Sequence, residues 1–318
     1  MKSNLSNLDR RQNYIILAEN SYLENDLEKA LKFYFRALKF GGNKEDNIII
    51  LYNIAILYDE MDIPEKALKT YKKIIQLDSK EAGAFYGMGT MYERLDNKEM
   101  ALKSYFKATQ IDPYYDRAFF YIANIYDEIG EKEKAIIYYK KVINLVPEDF
   151  MAYNNLGSIY EEIGENGKAY RMIRKSLKLN PDYYRALFNM GVIYKKMNKY
   201  EKAIEYYDKS IEKNNNYSYS YLNKSAIYIE WEEYEKSIEI LSEGILHNPY
   251  AEYLYYNRAC CYVKLGEIDK AIFDLRKSIL IQPKIIDMAK EDKDFNSIRN
   301  DSRFISLIEE KSGDNLIN

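Results

Sequence analysis

The residues that could support catalysis or metal binding are few in this 318-residue chain. His247 is the only histidine, and it stands in a predicted loop ahead of Pro249 without a partner for a triad or a metal site. Cys260 and Cys261 are neighbours in a helical pattern, where adjacent side chains point about 100° apart. We therefore expect no internal disulfide and interpret both cysteines as buried thiols in a reducing compartment.

Glycine-rich and acidic motifs do not indicate an enzyme either. The sequence GAFYGMG at residues 83–89 superficially resembles a phosphate-binding loop, but it lies in a helical pattern with no strand before it. The chain has no CxxC, HExxH or Walker-type motif, and paired acids such as Glu161 and Glu162 are merely adjacent. The sequence predicts no enzyme, no metal ion, no cofactor and no small-molecule substrate.

Composition and charge narrow the class of protein. The 47 basic and 50 acidic side chains give a net charge of −3, without the basic surplus that is usual in nucleic-acid binders. No apolar stretch approaches the roughly 18 residues of a membrane span. The N-terminal residues lack the apolar core of a signal peptide. We therefore expect a cytoplasmic protein that contacts neither nucleic acid nor membrane.

A fixed repeat organises the chain. One column of small residues recurs every 34 residues from Ala67 onward, after a first spacing of 37, so three extra residues are predicted in the loop near Gly41 and Gly42. Its members are Ala30, Ala67, Ala101, Ala135, Ala169, Ala203, Ser237 and Ala271. A second small column comprises Ala18, Ala55, Gly89, Ala123, Gly157, Gly191, Ser225 and Ala259. Three residues later stand Ser21, Tyr58, Tyr92, Tyr126, Tyr160, Tyr194, Tyr228 and Tyr262.

Each repeat is predicted to form two helices. Apolar residues fall at helical spacing, and a glycine such as Gly130, Gly164 or Gly266 is suited to end the first helix in the left-handed conformation. Proline then stops the second helix in most units. Small residues let the two helices approach closely, and tyrosines fill the space between layers. A single hairpin buries too little apolar surface to be stable, so the units must stack on one another.

These columns resemble the tetratricopeptide repeat family over residues 11–285, and AYNNLGSIYEEIGENGKAYRMIRKSLKLNPD is the segment most similar to the family pattern. The departures are Ser21, Ser237, and Lys224 and Arg258 in a column that is otherwise apolar. The resemblance implies an all-α, right-handed superhelical solenoid of helix-turn-helix units. Its eight units are 11–44, 48–81, 82–115, 116–149, 150–183, 184–217, 218–251 and 252–285.

The residues that flank the repeats have separate predicted roles. Residues 1–10 are interpreted as an N-terminal extension, and residues 286–318 as a C-terminal helical cap and tail. Solenoids need a polar-backed cap on their last repeat. The candidates for its apolar side are Phe295, Ile298, Phe304 and Leu307. A docking motif for a partner is the alternative interpretation of this segment.

The resemblance also places binding residues, because first helices of this family line a concave groove. Its sixth column carries amides that could pair with the backbone of an extended peptide, although asparagine is also the family's commonest residue there. The candidates are Asn155, Asn189, Asn223 and Asn257, with Asn53 further up the chain. Arg117 and Arg185 match isolated positions of the clamp with which some members bind chaperone tails. No repeat combines the lysine and asparagine of that clamp, so a chaperone-tail receptor is disfavoured.

Two further columns of the predicted groove are mostly acidic. They carry Asp59, Glu60, Glu93, Asp127, Glu128, Glu161 and Glu162, against Arg94. The sign then changes at Lys195 and Lys196. These carboxylates form either a solvated face or a stripe that attracts basic segments of a partner.

The predicted function is that of a protein-protein interaction scaffold. Its groove would hold an extended segment of a protein or peptide partner through the asparagine ladder. One alternative is a structural or assembly component that uses the convex face. Another is an RNA-binding repeat protein that stacks bases on some of its 34 tyrosines.

Overall fold

The computed structural model describes residues 6–309, so residues 1–5 of the predicted extension and residues 310–318 of the predicted tail lie outside it. The described chain is all-α and contains no strand. The helices form consecutive pairs, and each pair consists of a first and a second helix. The first helices are α1 (Asn7–Leu23), α3 (Lys44–Glu60), α5 (Ala82–Arg94), α7 (Asp116–Glu128), α9 (Phe150–Glu162), α11 (Tyr184–Lys196), α13 (Ser218–Glu230) and α15 (Glu252–Lys264).

Each first helix packs against the second helix that follows it. The second helices are α2 (Leu27–Leu38), α4 (Pro64–Leu77), α6 (Lys98–Ile111), α8 (Lys132–Leu145), α10 (Asn166–Leu179), α12 (Tyr200–Lys213), α14 (Tyr234–His247) and α16 (Ile268–Ile281). Beyond them lie α17 (Ile285–Glu291), a 3-10 turn (Lys293–Ile298) and α18 (Ser302–Glu309). The pairs group into two compact units, with α1–α8 in the first and α9–α18 in the second.

The turn inside each pair depends on one residue in the left-handed conformation. Gly130, Gly164 and Gly266 occupy it with φ between 75° and 82°, as predicted. The equivalent residues of the other pairs are Asn25, Asp62, Asp96, Asn198 and Glu232, with φ between 54° and 61°. Asparagine and aspartate tolerate this conformation better than most residues, which explains four of the five. Glu232 adopts it without that advantage.

Three features differ from the sequence prediction. The loop before α3 is barely longer than the others, because the extra residues mostly lengthen α3 itself, which begins at Lys44. The first helix begins at Asn7, where Ser6 and Asp9 form a capping box, so residues 7–10 are helical. His247 is the last residue of α14 rather than a loop residue.

Small residues allow close contact between the two helices of a pair. The alanines of both small columns are fully buried, Ala135 and Ala203 among them. A second-helix tyrosine packs against the small residue of the preceding first helix. Tyr105 lies against Gly89 in this way, and Tyr207 lies against Gly191. Both tyrosines are fully buried.

The two charged departures from the apolar column are explained by ion pairs, one within a helix pair and one between neighbouring pairs. Arg258 on α15 forms a forked interaction with Asp274 on α16, with nitrogen–oxygen distances of 2.6 and 2.9 Å. Arg258 also donates to the Ser242 hydroxyl at 2.8 Å. Lys224 on α13 pairs with Asp208 on α12 at 2.6 Å. Each charge therefore has a partner where the other pairs have apolar contacts.

The C-terminal segment covers the last helix pair. Phe295 and Phe304 are fully buried, and Ile298 and Leu307 are nearly so, in one apolar cluster with residues of α15 and α16. The Tyr256 hydroxyl of α15 donates to Asp292 at 2.6 Å. The burial predicted for the four apolar residues is therefore confirmed.

Candidate functional site

The candidate site lies on the first helices of the second unit. On α11, α13 and α15 a predicted amide stands four residues after a large side chain: Asn189 after Arg185, Asn223 after Tyr219, and Asn257 after Tyr253. Residues four apart lie on one face of a helix, about one turn from each other. We call the surface formed by these six residues the amide face.

Internal hydrogen bonds orient the amides of this face. Asn223 donates to the Tyr219 carbonyl at 3.0 Å, and Asn257 donates to the Tyr253 carbonyl at 2.7 Å. Each is half-buried, and its Oδ1 accepts no hydrogen bond from residues 6–309. An amide offers two donor hydrogens and one acceptor oxygen. Each of these two side chains is therefore held in place with donor and acceptor capacity remaining.

Asn189 and Asn155 are placed differently from the other two amides. Asn189 donates to Asn154 of α9 at 2.9 Å, and Asn154 donates to Asn155 at 3.1 Å. Asn154 is almost fully buried. The first of these hydrogen bonds joins two neighbouring first helices, so Asn189 of α11 contributes to packing against α9.

Four tyrosines in contact with one another lie along the same face, and we call them the aromatic row: Tyr184, Tyr217, Tyr219 and Tyr253. Tyr184 contacts Tyr217 with ring centroids 5.0 Å apart, and Tyr217 contacts Tyr219 at 5.6 Å. Tyr219 stacks on Tyr253 at 5.3 Å, and 48 % of Tyr219 remains exposed. Burial raises the pKa of Tyr217 to about 12, so its hydroxyl stays protonated at neutral pH. The row gives the amide face an apolar, partly exposed surface.

The aromatic row was not predicted. Its members come from the residues just before and at the start of α11, α13 and α15, whereas the residues predicted from the sequence belong to the amide and acidic columns. The clustering of aromatic residues at the ends of neighbouring repeats was a usable indication. Arg185 is exposed beside the row, and its Nε donates to the Tyr184 hydroxyl at 3.1 Å.

The remaining predicted peptide-binding residues belong to the first unit. Asn53 on α3 is half-buried and donates to the Tyr34 hydroxyl at 3.2 Å. Arg117 near the start of α7 is exposed. Both therefore belong to a different unit from the residues of the amide face.

Most of the predicted acidic residues are paired within the chain. Asp59 pairs with Arg94 of the next first helix, and Glu161 pairs with Lys196 in the same way. Two more pairs join Glu128 to Lys98 at 3.0 Å and Asp127 to Lys132 at 2.7 Å. Glu60 accepts from the Tyr22 hydroxyl at 2.7 Å, Glu93 from the Tyr105 hydroxyl, and Glu162 is exposed. Ion pairs thus neutralise Asp59, Asp127, Glu128 and Glu161, and most of these pairs link neighbouring helix pairs.

One group of side chains has the composition of a metal site. The Cys260 sulfur and carboxylate oxygens of Asp292 and Asp294 all lie within 4.8 Å of one another. Burial, with the two nearby carboxylates, raises the pKa of the Cys260 thiol above its usual range, so it is protonated and a poor ligand. Asp292 already accepts from Tyr256, and Asp294 pairs with Lys264 at 2.7 Å. These contacts attach the C-terminal segment to α15.

Comparison with protein families gives several matches along the chain. Residues 50–80, 82–115, 116–149, 152–183, 184–217 and 253–285 match models described as tetratricopeptide repeat. Residues 204–248 match a model described as anaphase-promoting complex subunit 5. No curated protein matches the chain.

Two of the similar solved structures, reported first, share the fold. A chain of the APC/C hetero-tetramer Cut9-Hcn1 is 18% identical, with a TM-score of 0.61 over 85% of this chain and 53% of that one. This chain thus spans about half the length of that relative. PilF of Pseudomonas aeruginosa is 19% identical, with a TM-score of 0.57 over 65% of this chain and 94% of that one. A MamA protein is 26% identical, with a TM-score of 0.47 over 54% of this chain and 93% of that one.

None of the helices between residues 6 and 309 combines the length and the apolar character that a membrane span requires.

Proposed function

Because the chain belongs to the tetratricopeptide repeat family, a family of protein-interaction modules, we propose that its amide face holds an extended segment of a partner protein. The observation that carries this proposal is the arrangement of Asn223 and Asn257. Each is fixed by one bond to its own helix and keeps the groups with which to pair a peptide backbone. The predicted groove and its eight repeat units over residues 11–285 are part of the proposal.

The aromatic row adds a second kind of contact. Backbone pairing by amides is indifferent to the partner's side chains, so it provides affinity without sequence preference. Tyr219 and Tyr253 lie one turn away from these amides and offer partly exposed ring surface. Aromatic rings give large contact areas with little loss of side-chain freedom. The partner segment therefore combines an extended backbone with apolar side chains that contact the two rings.

The acidic residues play a smaller part in this proposal. Ion pairs within the chain reduce the field that Asp59, Glu128 and Glu161 present to a partner. Attraction of basic partner segments remains a proposal, tested by whether association slows as salt rises. A cytoplasmic location and the absence of enzyme activity likewise remain predictions from the sequence.

Hydrogen exchange tests where the partner segment binds. Peptides selected for binding from a random display library would be added to the full chain, and amide protection would be compared with and without peptide. We expect protection at the first-helix segments that carry the amide face, because the bound segment excludes water there. Protection confined to the second helices would contradict the proposal and favour a structural component that binds through its other face.

A further inference from the structure

Charge is segregated between the two sets of helices in the first unit. The second helices α2, α4, α6 and α8 contain fourteen lysine and arginine residues and four glutamates, a net charge of +10. The first helices α1, α3, α5 and α7 carry a net charge of −5. The nearly neutral total for the chain conceals this separation.

The glutamates do not interrupt the basic surface. Each glutamate stands in the first turn of its helix, where its negative charge interacts favourably with the helix dipole. The four residues are Glu28, Glu65, Glu99 and Glu133. The remaining turns carry basic charges alone. We call the surface formed by Lys69, Lys73, Lys103, Lys107 and Lys141 the basic face.

The lysines of the basic face are not neutralised within the chain. All five are exposed, and none forms an ion pair with another described residue. The first-helix side behaves differently, since Arg94 there is paired with Asp59 and Asp62. Unneutralised charges of one sign on one surface attract a partner of the opposite sign.

An apolar pocket opens within the basic face. It lies between α5 and α6 and has a volume of about 590 Å³. Phe85, Met88, Met100 and Phe106 supply its apolar lining, and Lys103 and Lys107 also line it. Methionine side chains are flexible and polarisable, so such a lining adapts to differently shaped apolar groups.

Ring contacts connect the pocket to a third lysine. Phe106 of the pocket meets Tyr138 of α8 edge-on, with ring centroids 5.7 Å apart. The Lys141 ammonium lies 4.8 Å from the centre of the Tyr138 ring and 5.0 Å from that of Phe119. Cation–π contacts of this kind hold an ammonium in place while it remains exposed. The positive charge of Lys141 therefore lies beside Tyr138, whose ring contacts the pocket residue Phe106.

We propose that the basic face is a second docking site, which binds an acidic peptide segment with one large apolar side chain. That side chain enters the pocket between α5 and α6. Flanking aspartates and glutamates meet Lys103, Lys107 and Lys141. This site lies in the first unit and does not depend on the amide face of the second unit.

The pocket favours a peptide over other anionic partners. Nucleic acids bind chiefly through regularly spaced phosphates, which require no apolar recess between the lysines. An anionic lipid surface attracts basic residues without filling a recess either. A lysine ammonium is also a point charge that pairs with a carboxylate without a set orientation, whereas forked recognition of phosphate favours arginine.

Fluorescence anisotropy with three labelled probes tests this proposal on the full chain. The first probe is a short peptide of aspartate, glutamate and glycine with a central tryptophan. The second has alanine in place of the tryptophan, and the third is an oligothymidylate of the same charge. We expect the tryptophan peptide to bind at least tenfold more tightly than either other probe. Equal binding of both peptides, or tighter binding of the oligothymidylate, would overturn the proposal.

Two triple variants, each lacking three lysines, test where the tryptophan peptide binds. Lys103→Ala/Lys107→Ala/Lys141→Ala should weaken binding of the tryptophan peptide by about tenfold, since each exposed charge contributes modestly. The control Lys202→Ala/Lys209→Ala/Lys213→Ala removes three lysines from α12 in the second unit and should leave the affinity unchanged. Circular dichroism checks that both variants are folded. Equal affinities for the two triple variants would overturn the placement. Asn223→Ala/Asn257→Ala should retain full affinity for this probe, so this site and the proposed function can fail separately.

Discussion

The ring of Tyr207 on α12 lies in the space that a side chain at Gly191 of α11 would need. A Cβ atom built on Gly191 would stand 2.6 Å from Cε1 of Tyr207, well inside van der Waals contact. Tyr207 is fully buried, so its ring has no open space into which it could move. At Gly89 and Gly191 the small residue is therefore required by a second-helix tyrosine, and at Gly157 by Ile173.

Replacing this glycine tests that relationship. Gly191→Ala gains about 1 kcal/mol of helix propensity but overpacks the contact with Tyr207, at a cost of roughly 1–3 kcal/mol. We expect a net decrease in the free energy of unfolding of up to about 2 kcal/mol, measured by urea denaturation. Gly167→Ala is the control, since a Cβ there meets nothing within 4 Å and should not destabilise. Equal effects of the two substitutions would contradict the packing described for this column.

The Arg258–Asp274 pair gives a second prediction. The Asp274 side chain is only 2% exposed, so Asp274→Ala leaves the guanidinium of Arg258 largely buried without its partner. Loss of one member of such a pair costs about 3–5 kcal/mol. The double variant Arg258→Met/Asp274→Ile uses residues found at the same positions in other repeats and should recover most of this loss. Thermal or urea unfolding of both variants measures the difference. A double variant no more stable than Asp274→Ala would show that apolar residues cannot replace the pair.

The C-terminal cap is tested by a pair of phenylalanines. Phe295 is fully buried against α15 and α16, whereas 58% of Phe273 on α16 is exposed. Phe295→Ala should lower the free energy of unfolding by about 3–5 kcal/mol. Phe273→Ala should change it by less than about 0.5 kcal/mol, as is usual for surface substitutions. Equal stability of Phe295→Ala and Phe273→Ala would mean that the segment does not cap the array. Deleting the residues after Lys290 should expose the same apolar surface and promote association, detected by light scattering.

Most of the fold could be predicted because it depends on local periodicity. The small columns and the turn glycines have signatures within one repeat, and the apolar residues of the cap stand close together in the short segment after the last repeat. The charged residues were harder to interpret, because Asp59 and Glu161 pair with side chains about one repeat away. The two-residue spacing of Tyr217 and Tyr219 likewise gave no indication that Tyr219 stacks on Tyr253. Such contacts depend on how neighbouring repeats pack.

The cysteines provide a prediction about pH. Burial raises the pKa of both thiols above their ordinary range, so the folded chain keeps protons that the unfolded chain loses above about pH 8.5. The stabilisation from keeping these thiols protonated is present below that pH and declines as the pH rises. At neutral pH, Ellman's reagent should react slowly with the native chain and rapidly after unfolding. Rapid reaction of both thiols in the native chain would contradict their burial.

The central claim is that the amides of the second unit bind the backbone of a partner. Asn223 and Asn257 are the residues to change, since among residues 6–309 both donate only to carbonyls of their own helices. Asn189→Ala would instead remove the donor to the buried Asn154 and perturb packing between α9 and α11. Asn144→Ala on α8 is the control, because that asparagine is exposed on a second helix.

The most direct measurement is calorimetric titration of the peptide with the highest affinity from the display selection. Each amide contributes a net of about 0.5–1.5 kcal/mol, so Asn223→Ala/Asn257→Ala should weaken binding about tenfold while the unfolding curve barely changes. Asn144→Ala should bind like the unaltered chain. Unchanged affinity in the folded double variant would contradict the claim.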